Sequence, residues 1–93
     1  MYIFIAHDGP KGFERRQAHR ERHVAYLEGL DRGGHLVYGG PIRDESDRSI
    51  GAVLVLDVPD LAAARAVVEQ DPYVQAGVFE RFELNRFVRA FPR

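Results

Sequence analysis

The sequence predicts a ferredoxin-like α+β plait: a four-stranded antiparallel sheet with two helices on one face, in the order β-α-β-β-α-β. Three observations predict it. The 93 residues are the length of one domain, read as 1–93. Short β-branched and aromatic runs alternate with two stretches of helix-forming residues, which gives two βαβ halves. No internal repeat, low-complexity tract or linker interrupts that order.

Tyr2–His7 is apolar on both faces and reads as a buried strand, stopped by turn chemistry in Asp8-Gly9-Pro10-Lys11-Gly12. Phe13–Leu30 is rich in Arg, Glu, Ala and Leu and predicts a helix, ended by Asp31-Arg32-Gly33-Gly34. His35–Ile42 is a strand, Arg43–Ser49 a polar hairpin loop, and Ile50–Asp57 a second two-sided apolar strand. Pro59-Asp60 opens the second helix, with Asp60 as N-cap and Leu61, Ala64 and Val68 as its buried stripe. Asp71-Pro72-Tyr73 stops that helix, because a residue before proline is pushed out of the αR region. Val78–Val88 is the last strand. Gly39-Gly40-Pro41 inside a strand predicts a bulge or a close approach, with the chain leaving the ladder at Pro41.

Composition excludes several function classes. A net charge of −1 gives no bulk attraction to nucleic acid or to an anionic membrane. The absence of cysteine excludes a disulfide framework, a thiol nucleophile and thiolate-held metals. No apolar run approaches the ~18–20 residues of a membrane span, and Tyr2–Ala6 is too short for a signal h-region, so the expected location is the cytoplasm. No phosphate-binding glycine loop, dinucleotide fingerprint or zinc-hydrolase motif is present. No cofactor is expected.

The first helix breaks its own pattern. Arg16, Arg20, His23, Leu27 and Leu30 fall within about 40° of a single line along it. The leucine half of that line should face the sheet, yet the other half is Arg, Arg, His. Burying such groups is costly unless they are paired or meet a ligand. The plainer alternative is two arginines projecting past the core into water, their stems lying along it. His19 and His23, four apart, have no third ligand nearby in sequence, so no metal site is expected.

Asp71 lies at the end of a helix, where a carboxylate meets the unfavourable end of the dipole, so capping accounts for it poorly. It is either a turn-forming Asp-Pro or an inward-pointing partner for His23. In the second case it fixes the imidazole tautomer and prepares the other ring nitrogen for proton transfer.

Arg16-x-x-x-Arg20-x-x-His23, Gly39-Gly40-Pro41, and Asp71-Pro72-Tyr73 with Gly77-Val78-Phe79 together resemble the YCII-related (YciI-like) family. The likeness spans essentially the whole chain, with the three motifs in the family's order and spacing. It implies a dimeric α+β barrel of ferredoxin-like protomers and a His–Asp pair in a pocket, here His23 and Asp71. Arg16, Arg20, Gly40, Pro41 and Tyr73 match further motif positions. Among enzymes of the family, a dehydrochlorinase of chlorinated hydroxyhydroquinones is the nearest precedent.

Two functions follow. The first is a cofactor-independent enzyme of isomerase, lyase or dehydrohalogenase type acting on a small anionic or phenolic ligand. His23 would be its general acid or base, Asp71 the orienting partner, Arg16 and Arg20 the anion holders, and Tyr73 the closure of the pocket. The second is a non-catalytic ligand-binding or interaction module on the same scaffold, which needs no oriented imidazole. A homodimer is expected in either case. Ile3 and Ile5 alternate with Tyr2 and Phe4, and Val53 and Val55 with Leu54 and Leu56, so one apolar set must face away from the helices.

Overall fold

A computed structural model describes all 93 residues. Strand β1 (Tyr2–Asp8) leads into α1 (Gly12–Arg32), followed by the β2 (Leu36–Arg43) and β3 (Ser49–Leu56) hairpin. Helix α2 (Leu61–Gln70), the four-residue α3 (Pro72–Gln75) and β4 (Phe79–Arg86) complete the chain. The strands form one antiparallel sheet in the order β2-β3-β1-β4, the ferredoxin-like plait. No helix is long and apolar enough to cross a membrane.

The alternation of β1 and β3 settles which side chains form the core. Phe4 pairs with Leu54 and Ala6 with Ala52, and Phe4, Ala6, Leu54 and Leu56 join Ala64 and Val68 of α2 in one buried cluster. Asp60 caps α2 as expected, its side chain accepting from the Ala63 N–H at 2.8 Å. The other face carries Ile3, Ile5, Val53 and Val55. Val55 is only 1% exposed, while the other three are half-buried. That face is less bare than the alternation alone implies, because longer side chains stand opposite on the flanking strands: Tyr38 against Val55, Asn85 against Ile3 and Glu83 against Ile5.

Three local expectations are corrected. Residues after Asp71 form the short helix α3, for which Asp71 is the N-cap and Pro72 the first residue. The register shifts of β2 lie at Leu36/Tyr38 and Ile42/Arg43, not at Gly39-Gly40. Pro41 stays in the ladder opposite Ala52, because β2 is an edge strand with one unpaired side where a missing N–H is tolerated. The close approach of a backbone at Gly39 is present: a Cβ there would lie 3.1 Å from the Val53 carbonyl oxygen, as well as 2.5 Å from Cδ2 of Leu54.

The sheet is tightest at Gly51, which is buried and pairs with both His7 and Ile42. A Cβ at Gly51 would meet the Ala6 carbonyl oxygen at 2.4 Å, a backbone atom with little freedom to retreat. Gly51→Ala should therefore lower unfolding stability by roughly 1–3 kcal/mol. Urea denaturation checks this, and a midpoint equal to that of the wild type would mean that the strands part there without penalty.

Candidate functional site

Helix α1 does not lie flat on the sheet. Gly12 is its only fully buried residue, and of its leucines only Leu27 packs against the core cluster. Hydrogen bonds hold the rest. Arg15 Nη1 donates to the Gly77 carbonyl at 2.8 Å, and the Tyr26 hydroxyl donates to the Val67 carbonyl at 2.6 Å. The space left between α1 and the sheet is a cavity of about 250 Å³.

Arg16, Arg20 and His23 of α1, Gly40 and Pro41 of β2, and Asp71 and Tyr73 at the α2–α3 joint all line that cavity. These are the seven candidate site residues named from the sequence, whereas His19 and Gly39 are not on its wall. Phe4, Leu54 and Phe79 supply an apolar floor.

His23 Nδ1 lies 2.8 Å from Asp71 Oδ1. An ionised carboxylate only accepts, so Nδ1 carries the proton, and in the neutral imidazole Nε2 keeps its lone pair. Nε2 has no hydrogen-bond partner and is not fully buried, and the residue lines the cavity. The Asp71 side chain is 2% exposed and also accepts from the Tyr73 N–H at 2.9 Å. That second bond is the cap of α3, so one carboxylate both starts a helix and orients the imidazole. The His23 ring stacks on Tyr73 with centroids 3.7 Å apart and planes 5° from parallel, so it is fixed on its face as well as at its edge.

The two arginines differ. Arg16 is held by Asp8 in a two-pronged pair, Nε to Oδ2 at 2.8 Å and Nη2 to Oδ1 at 2.9 Å, and Nη2 also donates to the Gly51 carbonyl at 3.0 Å. The bonds to Asp8 raise the Arg16 pKa above its ordinary value, against the opposing effect of burial. Its guanidinium also sits 5.3 Å from the Tyr73 ring centroid and 5.7 Å from that of Phe79. Arg20 has no carboxylate partner and faces Tyr73. Asp8 is the site residue that sequence reasoning missed, since Asp-Gly-Pro reads first as a turn. The available signal is Gly12, where a Cβ would lie 2.5 Å from Asp8 Oδ2. No three His, Asp or Glu side chains converge as a metal-holding group.

Comparison with known proteins adds the following. The YCII-related domain matches residues 1–88. An uncharacterised protein of Haemophilus influenzae is 34% identical across 97% of this chain and 98% of its own length. Protein YciI of Escherichia coli is 32% identical across 98% of this chain and 99% of its own. Among solved structures, 5-chloro-2-hydroxyhydroquinone dehydrochlorinase of Burkholderia phenoliruptrix, in complex with 2,5-dihydroxybenzoquinone, superposes with a TM-score of 0.81. That similarity carries 26% identity and covers 95% of this chain and 94% of the other.

Burial pushes the Tyr73 phenol above its ordinary pKa, against the lowering by Arg16 and Arg20, and burial does the same for Tyr26. A phenol whose folded pKa is raised contributes stability that is fully present below about 10 and is lost as pH climbs through the higher folded value. Ultraviolet titration of the wild type against Tyr73→Phe and Tyr26→Phe should show each deleted transition above about 10. A transition at or below that value would contradict the burial of that hydroxyl.

Proposed function

The chain belongs to the YCII-related family, and from that premise we propose that it is a cofactor-independent enzyme of isomerase, lyase or dehydrohalogenase type. It acts in the cytoplasm on small phenolic or anionic compounds. The observation that carries this is His23: one ring nitrogen is held by a buried carboxylate, and the other opens into a largely apolar cavity. Similarity to a dehydrochlorinase crystallised with a dihydroxyquinone supports a hydroxylated ring as the ligand class.

In the proposed reaction His23 Nε2 removes a proton from a substrate O–H or C–H. The electron pair left behind forms a new double bond and expels the leaving group, or shifts the existing one. In a dehydrohalogenation the halide departs with its bonding pair, and the proton passes from the imidazolium to solvent. In an isomerisation the same proton returns to a different carbon. Asp71 does not take the proton. It stabilises the imidazolium and keeps the tautomer fixed. Arg20, with no carboxylate of its own, holds a phenolate or carboxylate oxygen, with Arg16 contributing its remaining N–H groups and positive field. Tyr73 and the Gly40-Pro41 segment close the walls around the ring.

Chloride release from 5-chloro-2-hydroxyhydroquinone, the compound the similar enzyme acts on, tests the reading. His23→Gln should lower turnover by roughly 10²–10⁴ while 2,5-dihydroxybenzoquinone still binds. Turnover that survives the substitution would overturn the role of His23. Saturable quinone binding with neither chloride release nor ring-proton exchange with solvent would make the protein a binding module.

We also infer that the working form is a homodimer closed through Ile3, Ile5, Val53 and Tyr38, the last 58% exposed. Covering ~800 Å² per subunit is typical of a stable pair. Light scattering at micromolar concentration should give about twice the 10.6 kDa chain mass, and a mass that stays at one chain would remove the dimer.

A further inference from the structure

The cavity under α1 has a neighbour. A second chamber of about 310 Å³ adjoins it between the first half of α1 and the β2–β3 hairpin, and the two share Arg16, Arg20, Ser49 and Tyr73 as walls. The inner chamber is floored by apolar side chains, whereas the outer one is lined mostly by polar groups, among them Gln17, Asp47 and Arg48.

The charges around the outer chamber do not cancel. Asp8 is taken by Arg16, and Asp47 by Arg43 at 3.2 Å. Arg20 and Arg48 are left with no carboxylate within ion-pair distance, so two unpaired guanidinium groups line one space whose only carboxylate, Asp47, is already paired. Arg48 is not carried on a loose loop. Asp44 Oδ1 accepts from the N–H groups of Ser46 at 2.9 Å and Arg48 at 3.0 Å, and the Asp44 N–H donates to the Arg48 carbonyl at 2.9 Å. The Arg48 guanidinium rests 5.8 Å from the ring centroid of Phe13, which also lines the outer chamber.

The geometry points to a two-part ligand: a planar hydroxylated ring in the inner chamber beside His23, joined to a carboxylate-bearing arm held in the outer chamber by Arg48 and Arg20. This rests on the inner cavity being the ring site. It makes Arg48, on a hairpin that reads in sequence as a solvated loop, the residue that selects among rings by what they carry. Two planar guanidinium groups suit the two oxygens of one carboxylate, and the aliphatic part of the arm passes the Tyr73 and Ser49 walls that both chambers share.

Calorimetric titration with a pair of probes tests it: a hydroquinone bearing a propanoate arm, and the propyl hydroquinone of equal length. The charged probe should bind at least about tenfold tighter to the wild type, with the gap narrowing as salt screens the exposed guanidinium groups. Arg48→Gln should narrow the gap at least about threefold while leaving the affinity of the uncharged probe unchanged, Arg20 keeping the remainder. Equal affinities in the wild type, or a preference undiminished in Arg48→Gln, would overturn the two-part ligand and leave the ring site standing. Failure of both probes to bind would overturn the ring site itself and this inference with it.

Discussion

Helix α1 is suspended over the sheet by polar bonds instead of being packed onto it, and the rest of the structure follows from that arrangement. A helix seated by apolar side chains settles about 8–10 Å from its neighbour and fills the space between. Here Arg15, Arg16, His23 and Tyr26 each reach to a fixed acceptor on another element, and Leu27 alone packs into the core cluster. The bonds set a distance without filling the gap, so a cavity is left where a core would otherwise be. A neutral buried hydrogen bond contributes about 1 kcal/mol net, one to a charged group about 1.5–3, and an acceptor left unpaired costs as much again. Each of these partners therefore contributes to holding the helix in position.

Asp71 is where a helix start and an oriented imidazole coincide. Helix α2 ends at this residue and α3 begins on it, so its backbone conformation, extended at φ −65° and ψ 124°, is dictated by the proline that follows. That turn directs the carboxylate inward, where the Tyr73 N–H and the His23 imidazole both donate to Oδ1. Burying a carboxylate is unfavourable unless it is hydrogen-bonded, and these two donors meet that need at Oδ1. The imidazole is thereby oriented by a group that the fold already requires for a helix start. The helix start and the orientation of the imidazole are not separable by substitution at Asp71 alone.

Much of this was legible from the residues. The element order and the plait could be read because strand and helix periodicities alternate cleanly, and the conflict along α1 marked the cavity because leucine and arginine share one helix face. Asp71 stood out because a carboxylate does not belong at a helix end. The same observation hid its second role: a four-residue helix leaves too little periodicity to be recognised, so the cap it provides for α3 was not visible. The Asp8–Arg16 pair was obscured for another reason. Asp8 sits in a sequence whose turn chemistry already accounts for it, and pairing across the β1–α1 corner depends on a close approach that only three-dimensional structure supplies. Gly39-Gly40 gave the right cause and the wrong consequence, a close contact with Leu54 and no bulge.

Pro41 has one more effect, on what the sheet can become. An unpaired strand edge is a template on which a second chain can lay down another strand, and fibrillar association begins that way. Strand β2 presents such an edge, eight residues long. A proline near its end offers no amide hydrogen for a new strand to use, and the two preceding glycines give an incoming chain no side chains to pack against. Growth sideways is thus interrupted beside the cavity wall.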